Sequence, residues 1–140
     1  MKDSYMIANE TGRMLYRQVR DLPIIDYHCH LSPKEIYEDK PFTNVGQVML
    51  GGDHYKWRVM RAAGIDESLV TGSASWHDKF SAYAQALELA AGNPVAQWTR
   101  MELDAFFGIT EILDRSSAER IWIACNEKIE QEQLSPRKVM

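Results

Sequence analysis

Cysteine is nearly absent from this sequence: Cys29 and Cys125 are the only two among 140 residues, and neither has a partner at CxxC spacing. A disulfide framework and a zinc knuckle are therefore excluded as the devices holding the fold, and both thiols read as reduced. No uncharged run is long enough to cross a bilayer, and Met1-Lys2-Asp3-Ser4-Tyr5 lacks the apolar stretch of a signal peptide. These absences point to a cytoplasmic protein with no membrane partner. Charge of one sign is lacking as well. The 16 basic and 20 acidic side chains leave a formal charge of -4, and the lysines and arginines are scattered, so nucleic acid is not an expected partner. Internal repeats and low-complexity tracts are also missing.

What is present is an ordinary globular composition, 45% hydrophobic and 26% charged, with four Trp, six Tyr and four Phe. That is enough apolar surface for one core and too much for a disordered chain. Segments of helical length alternate with turns marked by Gly, Pro, Asn and Ser, so the expected fold is mostly α. Asn9 is placed to cap a first helix carrying Leu15 and Val19. Ser32-Pro33-Lys34-Glu35 has the form of a capping box with Pro at the first helical position. A helix from Asp53 to about Gly64 should bury Trp57 and Met60. After Ser75, the residues Trp76, Phe80, Tyr83, Ala84, Leu87 and Ala91 recur at helical spacing until Gly92. Asn93-Pro94 opens a helix with Val95, Trp98, Met101 and Ala105 on one face, ended by Gly108. Ser116 to Glu119 reads as a second capping box before Ala118, Ile121, Trp122, Cys125 and Ile129. Ser135-Pro136-Arg137-Lys138 starts one more helix, close to the last residue, as in an architecture interrupted partway.

One segment breaks the helical pattern. Ile24 to Leu31 alternates with period two, as a strand requires, putting Ile25, Tyr27, Cys29 and Leu31 on one face and Asp26, His28 and His30 on the other. The geometry of a strand would aim both imidazoles the same way, and two neutral imidazoles can share a zinc-like divalent ion if further ligands and an open position are supplied. The plainer reading is a solvent-facing edge strand with two exposed histidines. Cys29 falls on the opposite face, where packing suits it better than chemistry.

A second polar and aromatic stretch, Gly51-Gly52-Asp53-His54-Tyr55-Lys56-Trp57-Arg58, lies at an expected helix start, where anions are favoured. A carboxylated ligand would fit there. The plainer reading makes Asp53 an N-cap, Trp57 a core residue, and His54 and Tyr55 partly exposed. Lys56, Arg58 and Arg61 form a small basic cluster of the kind that usually faces solvent, although an anionic substrate could recruit one of them. Trp76, Phe80, Tyr83, Trp98 and Trp122 are expected in the core.

Taken together, Asp26-Tyr27-His28-Cys29-His30-Leu31 and Gly52-Asp53-His54-Tyr55-Lys56-Trp57-Arg58 resemble the motifs of the uronate isomerases, a branch of the amidohydrolase superfamily. Met60-Arg61, Gly92-Asn93-Pro94, Trp98-Thr99 and Phe107-Gly108-Ile109 extend the resemblance over most of the chain. The pattern is not obviously kept at Gly12 or from Ser73 to His77.

The resemblance implies the amino-terminal part of a metal-dependent (β/α)₈ barrel. In that layout residues 1–42 hold the first helix, the first barrel strand (Ile24 to Leu31) and the helix after it; 43–131 form an inserted helical region; and 132–140 begin the next barrel unit. A barrel of this kind needs about 250 residues, so the chain cannot close one. The activity implied is aldose–ketose isomerisation of hexuronates, D-glucuronate with D-fructuronate or D-galacturonate with D-tagaturonate.

By the same resemblance His28 and His30 would hold a divalent metal, zinc by their donor type, while His54 and Tyr55 would contact the sugar acid. The remaining ligands, the acid and base groups and the rest of the barrel would come from elsewhere, so the isolated chain is expected to be inactive. A homo-oligomer is compatible with this layout. Two other readings are metal-dependent hydrolysis within the same superfamily, and a non-enzymatic helical interaction module in which the His-x-His is incidental.

Overall fold

The computed structural model describes residues 7–140, so Met1 to Tyr5, read above for a signal peptide, lie outside the described residues. Eight α-helices follow one another: α1 (Glu10–Val19), α2 (Pro33–Glu38), α3 (Val45–Leu50), α4 (His54–Ala62), α5 (Trp76–Glu88), α6 (Pro94–Glu102), α7 (Ala118–Glu132) and α8 (Pro136–Val139). A 3₁₀ turn at Glu67–Leu69 follows α4, and a π turn at Leu103–Phe107 extends α6. The described residues contain no strand.

Most of the helix starts are set by the side chains that precede them. Asn9, Asn44, Asp53, Ser75 and Asn93 each accept a hydrogen bond from a free backbone N–H of the helix they cap. The capping box before α2 is complete: Ser32 Oγ accepts from Glu35 N–H at 3.1 Å, and the Glu35 carboxylate accepts from Ser32 N–H at 3.2 Å. The second expected box does not form. Asp114 Oδ1 takes the N–H groups of both Ser116 and Ser117, and Ser117 Oγ accepts from Asp114 N–H and donates to the Ile112 carbonyl. An aspartate just upstream thus outcompetes Glu119 for these groups, and α7 starts at Ala118 without a side-chain cap.

The core lies among α3, α5 and α7, flanked by α4 and α6. Phe80, Tyr83, Met49, Leu50, Met60, Leu103 and Ile121 are fully or almost fully buried in it. Tyr83 carries a hydroxyl into this apolar centre and satisfies it against Thr99 Oγ1 at 2.6 Å, while Thr99 in turn donates to the Val95 carbonyl at 2.9 Å. Across the other side, the Val45 N–H at the start of α3 donates to Asn126 Oδ1 of α7 at 2.9 Å. The α3–α5 contact is close enough to require glycine at 46, since a Cβ there would stand 2.7 Å from the Trp76 carbonyl oxygen.

Two departures from helical periodicity follow from the π turn. Ala105, expected on the inner face, is exposed, and Leu103 and Phe107 are buried instead. The wider turn adds a residue to the coil and shifts the phase of the inner face. Trp98 is 46% exposed and so is not a core residue, while Trp57, Trp76 and Trp122 are half-buried at the edge of the core. Ala91 lies beyond the end of α5 and is exposed.

The expected strand is the main correction. Residues 23–31 form an irregular, exposed segment, in which Ile24, Ile25 and Tyr27 are 91%, 89% and 97% accessible. Cys29 is exposed too, so it does not pack as expected. A helix closes its hydrogen bonds within its own segment, whereas a strand of a parallel sheet needs a neighbour on each side and crossover helices on its faces. No described residue offers such a neighbour. With the backbone unpaired, Asp26 Oδ1 instead accepts the N–H of His28 at 3.0 Å, a local turn that competes with extended structure. The helix α1 is likewise without a buried residue, and Leu15 and Val19 are more than half exposed.

At the far end the chain returns to this region. The Phe42 N–H donates to the Leu134 carbonyl, and Arg137 binds the end of α2 through Asp39 Oδ1 and the carbonyls of Ile36 and Tyr37. The segment from Ser32 to Asp39 is therefore pinned to α8, and residues 23–31 run from that anchor back toward α1.

Candidate functional site

The two polar motifs, separate in sequence, meet where residues 28–31 pass over the start of α4. Asp53 caps α4, with Oδ1 accepting from Tyr55 N–H at 2.9 Å and Lys56 N–H at 3.3 Å. This cap places His54 and Tyr55 in the first helical turn, side by side at 4.6 Å between ring centroids. The loop before it carries Gly52, where a Cβ would stand 3.2 Å from the His30 carbonyl oxygen, so a bare backbone lets the two segments touch.

His30 sits at the junction. Its ring lies 4.8 Å from that of His54 and 5.4 Å from that of Tyr55, the latter nearly parallel at 21°. Its Nδ1 is 3.4 Å from Asp53 Oδ1. His28 approaches edge-on, 5.7 Å from His30. Tyr55 extends the cluster to Trp98, 6.1 Å away on α6, and the Arg58 guanidinium stands 5.8 Å over the Tyr55 ring. The four expected site residues are thus brought together, with Trp98 and Arg58 added at the margin. The motif itself pointed to Arg58; Trp98 was hidden because a tryptophan at helical spacing reads as core.

Lys56 departs most from expectation. It is not a solvated cation: it is 3% exposed, with its ammonium 2.6 Å from Glu102 Oε2 and 3.6 Å from Asp53 Oδ2. A buried ammonium needs such partners, and two carboxylates supply them. Arg61 turns away from the site to pair with Glu67. His30, Asp53, Lys56, Glu102, Phe42 and Phe107 are among the residues lining a cavity of about 460 Å³, which His54 and Tyr55 do not line. That volume suits a small polar ligand. His28 instead lines a neighbouring hollow between residues 26–31 and α2, with Tyr37 and Arg137. Beneath the site, burial pushes the Tyr83 hydroxyl well above the usual phenol range, so it stays neutral as a packing group.

Imidazoles are a donor type that suits a divalent ion such as zinc, and the spacing of His28 and His30 does not exclude a shared one. A ring centroid is about 1.1 Å from its nitrogens and a Zn–N bond is about 2.1 Å, so two imidazoles on one ion stand at most about 6.4 Å apart between centroids. The 5.7 Å between His28 and His30 falls inside that limit. Among the described residues no third His, Cys, Asp or Glu completes a set of ligands. Nor is any described helix long and apolar enough to cross a membrane.

Comparison with known proteins places these motifs. A family model described as glucuronate isomerase matches residues 1–140. The uronate isomerase of Streptococcus equi subsp. zooepidemicus (strain MGCS10565) is 51% identical over 138 residues, which is 99% of this chain and 30% of that protein. The uronate isomerase of Bacillus licheniformis is 53% identical over 130 residues, 92% of this chain and 28% of that protein. Among solved structures, the uronate isomerase of Thermotoga maritima superposes with a TM-score of 0.90 at 34% identity, covering 99% of this chain and 30% of that one. The glucuronate isomerase of Caulobacter crescentus gives 0.80 at 25% identity, covering 91% and 28%. The chain therefore spans about 30% of the length of the relatives it matches. With its whole length matched by the family model and its backbone superposing so closely, the chain belongs to the glucuronate isomerase family.

Proposed function

We propose that this chain is the amino-terminal part of a cytoplasmic hexuronate isomerase, which interconverts an aldose-type sugar acid and its ketose form. The observation that carries the reading is the meeting of His30 with His54 and Tyr55, at 4.8 and 5.4 Å, with His30 also lining a cavity of about 460 Å³. Family membership supports it. In this reading residues 24–31 become the first strand of a (β/α)₈ barrel once neighbouring strands pair with them. Their exposed apolar side chains and period-two pattern suit that role. The body from residue 43 to 131 is then an insertion held against the carboxyl end of the strand, the end where barrel enzymes gather their chemistry.

The reaction relocates protons: a base removes the C2 proton, an enediolate forms, and an acid returns a proton to C1. His28 and His30 would hold a divalent ion, which when bound supplies Lewis-acid polarisation of the substrate's oxygens. His54 and Tyr55 bind and orient the sugar acid, offering a ring N–H and a phenolic O–H to its oxygens. Trp98 packs against Tyr55 and fixes its ring. The Lys56 ammonium is engaged by Glu102 and Asp53, so it holds the wall of the cavity in shape instead of reaching into it. The base, the acid and the remaining ligands come from other parts of a longer polypeptide.

The test is an isomerisation assay with D-glucuronate and D-galacturonate on that longer polypeptide. His28→Ala is expected to lower turnover about 100-fold or more, as loss of acid–base or electrophilic assistance does. Tyr55→Phe should weaken substrate binding. Unchanged turnover in His28→Ala and an unchanged KM in Tyr55→Phe would remove these roles, and a coding sequence that stops at Met140 would remove the reading itself.

A further inference from the structure

We propose that Asp53 is a positioning residue for His30: its carboxylate holds the hydrogen on Nδ1 of that imidazole and so leaves the Nε2 lone pair as the one free to act as a donor. The proposal rests on the reading of His30 as a ligand, and adds to it which nitrogen is presented and what enforces the choice.

The argument begins with how firmly the carboxylate is held. Asp53 Oδ1 accepts two backbone N–H groups of α4, from Tyr55 at 2.9 Å and Lys56 at 3.3 Å. Its Oδ2 faces the buried Lys56 ammonium at 3.6 Å, and that ammonium is tied at 2.6 Å to Glu102 of α6. Two helices thus fix the carboxylate without any help from His30, so the imidazole is the partner being oriented. An ionised carboxylate can only accept hydrogen bonds, and a ring nitrogen facing it must therefore carry the hydrogen.

His30 Nδ1 stands 3.4 Å from Oδ1, a close electrostatic contact and not a formed hydrogen bond, and a bare nitrogen lone pair there would face the carboxylate unfavourably. The contact is not accidental packing of a loose loop. The bare backbone of Gly52 seats the His30 carbonyl, and the Tyr55 ring lies nearly parallel to the imidazole, so ring plane and backbone are both constrained. A carboxylate behind a ligand histidine fixes its tautomer and raises its basicity, and loss of such a partner costs 10- to 100-fold in metal affinity as a rule.

The decisive measurement is the tautomer of His30 in this 140-residue chain without metal, read from the ¹⁵N shifts of its ring on the alkaline plateau of their measured pH dependence. His30→Gln assigns the signals. The Nδ1–H form is expected in the unaltered chain. Asp53→Ser should abolish that preference while keeping a side-chain cap on α4, since serine caps helices well but is too short to reach the ring. An Nε2–H form in the unaltered chain overturns the proposal whether or not the variant folds, and so does an identical tautomer in a folded Asp53→Ser chain. Zinc retention by the longer polypeptide tests the ligand reading separately. Nδ1–H without zinc uptake would sink the ligand role alone, and uptake with the opposite tautomer would sink the positioning role alone.

Discussion

The two halves of the His30 cluster come from regions built in opposite ways. From Ile7 to Asn44 no residue is buried, and five large apolar side chains between Leu22 and Tyr37 are at least 60% exposed. From Val45 onward a core of aliphatic and aromatic side chains closes around Phe80 and Tyr83. The second region is folded by its own sequence. Each of its helices closes its backbone hydrogen bonds locally, and their apolar faces pack against one another among α3, α5 and α7. The arm before it carries a strand pattern, and a strand is stable only in company. The comparison teaches that one site can join a wall that is self-sufficient to a floor that depends on partners.

The sharpest way to break this contrast is through the two thiols, one in each region. Cys29 is exposed on the arm, whereas Cys125 is buried between α7 and the core, where burial pushes its thiol up to about 12. A thiol reagent should modify Cys29 directly but reach Cys125 only when the body opens. With unfolding free energies of about 5–15 kcal/mol, the rates should differ by at least about 1000-fold at neutral pH. The single-cysteine variants Cys29→Ala and Cys125→Ala allow each rate to be followed alone. Comparable rates would mean that the body is no better folded than the arm.

Stability measurements sharpen the same point. Phe80→Ala leaves a cavity at the centre of the body and should cost about 3–5 kcal/mol by denaturant unfolding. Ile24→Ala, on a side chain that touches almost nothing, should stay within about 0.5 kcal/mol in this chain. In a longer polypeptide that pairs the arm as a barrel strand, the Ile24 substitution should rise to about 2–5 kcal/mol, since the side chain is then interior. An unchanged small effect there would show that the arm does not become a buried strand.

The helices were legible in the sequence to the extent that their signals are local. Ser32-Pro33-Lys34-Glu35, Ser75 and Asn93-Pro94 each named a helix start that the structure keeps, because a cap is decided within four residues. Where local signals compete, reading fails. Ser116 to Glu119 had the letters of a capping box, but Asp114, two positions upstream, reaches the same amides first. Ala105 lost its place to Leu103 and Phe107 through a single π turn that no periodicity announces. The helix α3 escaped notice because six residues carry too little pattern. For the site, the family resemblance named His28 and His30 in one motif and His54 and Tyr55 in another, while their meeting is a tertiary fact. Lys56 was misread for the same reason: its partner Glu102 lies 46 positions away.

The smallest effect concerns the body's surface, where geometry is held as firmly as in its core. Arg61 on α4 grips Glu67 with two bonds of 2.5 and 2.8 Å, and Thr71 adds a third, across a turn that the backbone already fixes. The guanidinium first and the threonine hydroxyl second hold the Glu67 carboxyl down to about 2. The arm's counterpart, Arg17 to Glu10, is a single 3.3 Å contact within one exposed helix. Because the folded pKa lies below the ordinary value of 4.5, the unfolded chain binds the proton first as pH falls. The contribution of Glu67 is therefore whole above about pH 4.5 and is lost on the way down to about pH 2. Glu67→Gln should lower Tm slightly at about pH 6 and make little difference near pH 2.5, with the gap shrinking in high salt because both groups are in water. An equal penalty at both pH values would mean that Glu67 acts through packing and not through its charge.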